Sequence, residues 1–83
     1  MGVRVKVTVR YFAVLRDRAG VSEEILETPC ASVGDLIREL ISSRSLGLSA
    51  TLIRPAVNGA FVHESHALSD GDEVVLIPPV AGG

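Results

Sequence analysis

Cysteine is almost missing from this chain: Cys30 stands alone among 83 residues, which excludes an intramolecular disulfide and a cysteine-based metal cluster. Tryptophan is absent and aromatics make up only 4%, so the core has to be built from Val, Leu, Ile and Ala. Lysine is reduced to Lys6, while the other seven of the eight basic residues are arginine. Any lysine-linked attachment to this chain would therefore have Lys6 or the amino terminus as its only acceptor. Basic charge is not in excess: the net charge is -2, unlike the strongly basic face of a general nucleic-acid binder. No apolar run is long enough to cross a bilayer and no secretory leader is visible, so no membrane partner and a cytoplasmic location are expected. Lys6 also occupies the position where a myristoylation motif after Gly2 needs Ser or Thr.

The catalytic vocabulary is equally thin. There is no phosphate-cradling glycine loop, and no nucleophile, base and oxyanion donor fall into a recognisable motif. Asp70-Gly71-Asp72 is too short for a calcium loop. His63 and His66 lack the further ligands that zinc requires, so no metal site is expected. Cys30 has no helix N-terminus or neighbouring cation in sequence to lower its thiol pKa and reads as a partly buried structural residue.

What the chain does have is a small apolar domain, 47% hydrophobic, of a size sufficient for one modest core. Val3, Val5, Val7, Val9 and Tyr11 alternate with Arg4, Lys6, Thr8 and Arg10, which predicts a strand buried on one face. Phe12 to Ala19 reads as one or two helical turns closed by Gly20. Glu23 to Thr28 fits a second strand. Ser32 is the expected N-cap of an amphipathic helix carrying Val33, Leu36, Ile37, Leu40 and Ile41 and ending before Gly47, with Asp35 completing an imperfect capping box. Leu52 to Val57 predicts a third strand, which Pro55 should confine to an edge or a bulge. Asn58-Gly59 is a hairpin turn leading into Phe61-Val62. Ser69-Asp70-Gly71-Asp72 is a turn, and Glu73 to Ile77 is apolar enough for a central strand. The order ββαβββ, with the last strand parallel to the first, predicts an α+β, β-grasp (ubiquitin-like) fold: a mixed sheet of about five strands, one main covering helix and a short helix after the first strand. The domain is expected to span residues 1–79, with residues 80–83 as a flexible reactive tail.

That tail follows Pro78 and Pro79 and ends on Gly82-Gly83. Glycine lacks a Cβ, so such a segment can lie extended in a slot too narrow for other residues. The candidate active atom is the carboxyl carbon of Gly83. A carboxylate resists nucleophiles, so a separate ATP-using enzyme would have to adenylate it before a sulfur nucleophile attacks. On this reading the chain is a carrier, not a catalyst by itself, and binds no cofactor.

Tyr11-Phe12-Ala13-Val14-Leu15-Arg16, Val57-Asn58-Gly59, Ser69-Asp70-Gly71-Asp72-Glu73-Val74 and Pro78-Pro79-Val80-Ala81-Gly82-Gly83 resemble the small subunit of molybdopterin synthase, the MoaD family, along the whole chain. The resemblance implies a sulfur carrier whose Gly83 is adenylated by an E1-like adenylyltransferase and converted to a thiocarboxylate. A desulfurase or rhodanese would supply the sulfur. The tail, with Val80 and Ala81, would then enter the large synthase subunit, in a heterotetramer of two small and two large subunits, and donate sulfur to cyclic pyranopterin monophosphate to form the dithiolene. It also implies that Phe12, Phe61 and Ile77 present an apolar surface to partners and that Arg16 hydrogen-bonds one of them. Some relatives carry phenylalanine just before the proline pair, where this chain has Leu76-Ile77. Two alternatives share the fold and the tail: a ubiquitin-like protein modifier conjugated through Gly83, and a thiazole-pathway sulfur carrier. A β-grasp interaction module with an incidental terminus is a further possibility.

Overall fold

The computed structural model describes residues 4–80. Strand β1 (Val5–Tyr11) is followed by the short helix α1 (Val14–Ala19), strand β2 (Glu23–Thr28) and the main helix α2 (Val33–Ser43). A single 3-10 turn at Ala50–Leu52 leads into β3 (Arg54–Val57), β4 (Ala60–Phe61) and β5 (Glu73–Ile77). The strands form one five-stranded sheet in the order β2-β1-β5-β3-β4. As expected for a β-grasp, β5 is central and runs parallel to β1, whereas β2, β3 and β4 join their neighbours antiparallel.

The alternation in β1 decides which face is buried. Val7, Val9 and Tyr11 are buried, together with Val74 and Leu76 of β5. Against them packs the stripe of Val33, Leu36, Ile37 and Leu40 on α2, with Leu15 and Leu46 closing the core. Each fully buried aliphatic side chain of this kind contributes about 1.5–3 kcal/mol. Ser32 caps α2: its Oγ accepts a hydrogen bond from the Asp35 N–H at 3.2 Å. Asp35 does not complete the box, because its carboxylate instead accepts from Arg38 at 2.6 Å. That bond is the main reason the exposed Asp35 carboxyl lies below its ordinary range.

Two expectations about β3 also need correction. Leu52 belongs to the 3-10 turn, and β3 starts only at Arg54. Nor is β3 an edge strand, since it pairs with both β5 and β4. Pro55 is tolerated there because antiparallel bonding alternates. The Asn58 N–H donates to the Glu73 carbonyl, which puts Pro55 opposite Leu76 in a non-bonded pair on the β5 side. Its missing N–H faces the end of the two-residue β4, where its carbonyl still accepts from Val62 N–H at 3.2 Å.

Gly34 marks the closest approach between helix and loop. Its N–H donates to the Glu64 carbonyl at 2.9 Å, and a Cβ added at Gly34 would come within 2.9 Å of both Cβ and O of Glu64. Because one of these is a backbone atom, relief requires the loop to shift. Gly34→Ala is therefore expected to destabilise the fold by about 1–3 kcal/mol, measured as a lowered denaturant midpoint; an unchanged midpoint would show that the loop yields freely.

Candidate functional site

The sheet's second face carries no helix; Ile25 stands exposed on β2, opposite Thr8, while Phe12, Phe61 and Ile77 gather at one end. Leu76 is buried and Ile77 turns to the open face, partly covered. Arg54 lies opposite Ile77 on β3. On the other side Tyr11 is level with Leu76, and the Phe12 N–H donates to the Leu76 carbonyl at 3.3 Å, so Phe12 comes level with Ile77. One step back, Phe61, Ala56, Val75, Arg10 and Glu23 form a row across the strands. Phe61 is 59% exposed and Phe12 48%. The Arg54 guanidinium sits 4.4 Å from the Phe61 ring centroid, a cation–π contact that holds the ring against the sheet. Phe12, Ile77 and Phe61, well separated in sequence, thus share the end of the face from which the chain leaves.

The exit itself is anchored. Pro78 is buried, whereas Pro79 and Val80 are exposed, Val80 to 95%. The proline pair fixes φ twice and lacks amide donors, which ends ladder pairing and stiffens the departure. Ala81, Gly82 and Gly83 lie outside the described residues. Arg16 projects from α1 and, with Arg10, Phe12, Ala13 and Ser22, lines a hollow of about 210 Å³ beside the exit. A slightly larger hollow of about 220 Å³ lies between α2 and the β3–β4 hairpin, lined by residues including Ile37, Ile53 and His63. It contains no nucleophile with a base, and among the described residues no cluster of metal-binding side chains occurs. His63 Nδ1 is occupied locally by Ser65. Cys30 is partly buried. Burial is the main influence pushing its thiol up from the ordinary value, and the hydrogen bond to Glu39 adds to it.

Sequence reasoning missed the network that anchors Tyr11, the residue before Phe12. Tyr11 is buried, and its hydroxyl donates to Glu24 Oε2 at 2.6 Å. Arg44, just past α2, grips the same carboxylate with Nε at 2.9 Å and Nη2 at 2.7 Å. The available signal was Tyr11 at an inward position of β1, since a buried tyrosine hydroxyl needs a partner. After Phe12 the backbone turns through Ala13 at φ 51, ψ -127, a conformation that costs a non-glycine residue about 1–3 kcal/mol.

Arg44's hydrogen bonds are the first cause holding the Glu24 carboxyl below its ordinary value. Burial, followed by the bond to Glu24, pushes the Tyr11 phenol well up. A depressed carboxyl pKa in the fold contributes stability that is present above the ordinary carboxylate range and lost as pH falls through the depressed value. Glu24→Gln is accordingly expected to flatten the loss of stability between neutral and acid pH. Identical acid-denaturation profiles for the two proteins would contradict this linkage.

Comparison with known proteins agrees with this geometry. The ThiS family model matches residues 9–83. The chain is 37% identical to the molybdopterin synthase sulfur carrier subunit of Chlamydomonas reinhardtii, covering 94% of this chain and 99% of that one. It is 32% identical to the Escherichia coli (strain K12) protein of the same name, covering 93% and 99%. Among solved structures, a putative molybdopterin converting factor subunit 1 from Pyrococcus furiosus is 40% identical with a TM-score of 0.78, covering 92% of this chain and 99% of that chain. The small archaeal modifier protein 1 of Haloferax volcanii matches with a TM-score of 0.76 at 26% identity, covering 92% and 99%. In a complex of subunits 1 and 2 of molybdopterin-converting factor from Helicobacter pylori, one chain matches at 26% identity with a TM-score of 0.64, covering 95% and 100%. With its β-grasp sheet, its apolar exit face and a family match that continues through Gly83, this chain belongs to the ThiS family and, by its full-length relatives, to the molybdopterin synthase sulfur carrier subunits.

Proposed function

We propose that the carboxyl group of Gly83 is the sulfur-carrying atom group of this protein and that the end of the open face around Phe12, Phe61 and Ile77 docks the enzymes that act on it. The observation that carries this reading is the coincidence in space of the apolar cluster and the anchored exit at Pro78 and Pro79. A partner that covers the cluster receives the tail at a fixed angle. From Pro79 the four residues to Gly83 span roughly 13–14 Å when extended, enough to pass a protein wall into a closed pocket. A stiff exit lowers the ordering cost of that insertion.

The chemistry divides accordingly. An E1-like adenylyltransferase spends ATP to join AMP to the Gly83 carboxylate, with pyrophosphate released. Hydrosulfide then attacks the acyl carbon and AMP leaves; where the sulfur instead arrives as the persulfide of a desulfurase or rhodanese, its attack expels AMP to give an acyl disulfide, which a thiol reduces, itself ending in a disulfide, to free the thiocarboxylate. The resulting thiocarboxylate delivers its sulfur to cyclic pyranopterin monophosphate inside the large synthase subunit, with two carriers serving one dithiolene in a complex of two small and two large subunits. Arg16 and the hollow beside it would bind polar groups of a partner at the rim of the docked surface. The carrier itself holds no cofactor, and its place of work is the cytoplasm.

The likeness to the small archaeal modifier favours one second reading, attachment of Gly83 to an amine of another protein through the same adenylate. Thiocarboxylate formation tests the first reading. With the activating enzyme, ATP and a sulfide source, alkylation followed by C-terminal peptide mapping should find a tagged thiocarboxylate on Gly83. Mapping is required because Cys30 also alkylates, and because oxidation of Met1 nearly mimics the mass of an oxygen-to-sulfur exchange. Adenylation without any tagged terminus would contradict the carrier role.

A further inference from the structure

We propose that the outer edge of β2 is a second docking site, which takes an extended segment of a partner protein as an added antiparallel strand, with basic residues opposite Glu23 and Glu27 and an apolar one opposite Ile25. The site uses neither Gly83 nor the cluster at the exit.

The phase of the hydrogen bonds decides which backbone groups this edge offers. β2 is the outermost strand of the sheet and has β1 alone beside it. The Tyr11 N–H donates to the Ser22 carbonyl at 2.9 Å, which makes Tyr11 and Ser22 a bonded pair. Bonded and non-bonded pairs alternate along an antiparallel ladder. In the register that sets Val9 against Glu24, Val7 against Leu26 and Val5 against Thr28, the residues Glu24, Leu26 and Thr28 turn their N–H and C=O groups to β1. Glu23, Ile25 and Glu27 turn theirs outward. The usual devices that close an edge, a proline or a bulge, do not occur within β2: the strand reads Glu-Glu-Ile-Leu-Glu-Thr, and its pairing with β1 runs residue for residue.

The same three residues carry their side chains on the open face. Ile25 is 66% exposed and stands between two exposed glutamates. Arg10 is shared by Glu23 at 3.5 Å and Glu73 at 3.7 Å, one cation for two carboxylates. Lys6 is across from Glu27. Charge thus alternates from strand to strand, acidic at Glu73 on β5, basic on β1 and acidic on β2. A strand added outside β2 continues the alternation with arginine or lysine, since opposite charges facing each other across a ladder stabilise it. Just past the end of β2 the Cys30 thiol donates to Glu39 Oε2 at 3.1 Å, which brings a further carboxylate, from α2, beside this edge.

A second copy of the chain is the wrong occupant. Two β2 strands paired so that Ile25 meets Ile25 would set Glu23 against Glu27 on both sides of it, and like charges directly opposite destabilise the pair. The glutamates that blunt the edge against self-association are therefore the ones that select a basic partner. Their spacing about Ile25 sets the register, and antiparallel pairing is slightly the more stable direction.

The probe is the peptide Thr-Arg-Thr-Val-Thr-Arg-Thr with both ends blocked, added to the isotope-labelled full chain and followed by amide nuclear magnetic resonance up to millimolar concentration. Binding should move the amide signals of Glu23, Ile25 and Glu27 more than those of Glu24 and Leu26, whose N–H groups already bond β1. Replacing both arginines of the peptide by glutamate should weaken binding at least tenfold. A methyl group on the valine nitrogen, which faces β2, should abolish binding, whereas one on the nitrogen of the following threonine, which faces away, should be tolerated. Ile25→Thr keeps a β-branched residue on the strand and should bind about two- to fivefold more weakly. Absence of binding, signal changes centred on Phe12 and Ile77 instead of β2, or indifference to the methyl group on valine would overturn the proposal. None of these outcomes depends on activation of Gly83.

Discussion

Deleting Gly83 is expected to abolish sulfur transfer and leave the melting temperature unchanged. The first half follows from chemistry: the deletion moves the carboxyl group back by one residue, more than 3 Å, from the position in which a partner's active site would activate or receive it. A displacement of even about 1 Å costs on the order of a hundredfold in rate. The second half follows from the fold. Deleting a glycine removes no side chain, the core among the described residues is built without it, and a change that touches no core contact normally alters stability by less than about 0.5 kcal/mol. A truncated chain that still supports dithiolene synthesis would refute the assignment of Gly83, whereas one that unfolds would show that the tail belongs to the domain.

The second large effect separates two neighbours. Leu76 and Ile77 adjoin in sequence but face opposite sides of β5: Leu76 is completely buried, and Ile77 lies partly open beside Arg54. Leu76→Ala should cost about 2–5 kcal/mol of stability, a large part of the 5–15 kcal/mol typical of a domain. Ile77→Asp should spare the fold, because Arg54 opposite offers the new carboxylate a partner, yet it would put a charge in the middle of the apolar exit cluster. Loss of an interface anchor costs about 2 kcal/mol or more, which corresponds to at least a thirtyfold weaker complex. Titration calorimetry against the large subunit and the activating enzyme reads this directly. Unchanged affinity for both would remove Ile77 from the docking surface.

Much of this was legible in the sequence, for physical reasons that differ from element to element. The period-two valines of β1 and the apolar stripe of α2 each repeat over enough residues to fix element type and buried face together. Gly20 closes α1 in a left-handed conformation, φ 82, as its position suggested. Pro55 misled because the rule against proline in internal strands concerns the missing amide, and the sequence does not show that this amide would face the end of a strand as short as β4. The onset of β3 was misplaced because Leu52 and Ile53 look strand-like locally, while the Ile53 N–H bond back to the Ala50 carbonyl closes a turn. The Tyr11, Glu24 and Arg44 network joins residues from three elements, so no local pattern announces it. The gathering of Phe12, Phe61 and Ile77 at the exit likewise depends on strand order and register; local pattern did not join them, and only the resemblance implied that they share a surface.

The most direct measurement of the central claim is a single-turnover assay with the Gly83 thiocarboxylate, the large synthase subunit and cyclic pyranopterin monophosphate. Dithiolene formed is compared with sulfur lost from the tail. The account predicts one dithiolene for every two thiocarboxylates consumed and none from the carboxylate form. Absence of product, with a large subunit shown to be competent using its own carrier, would contradict it.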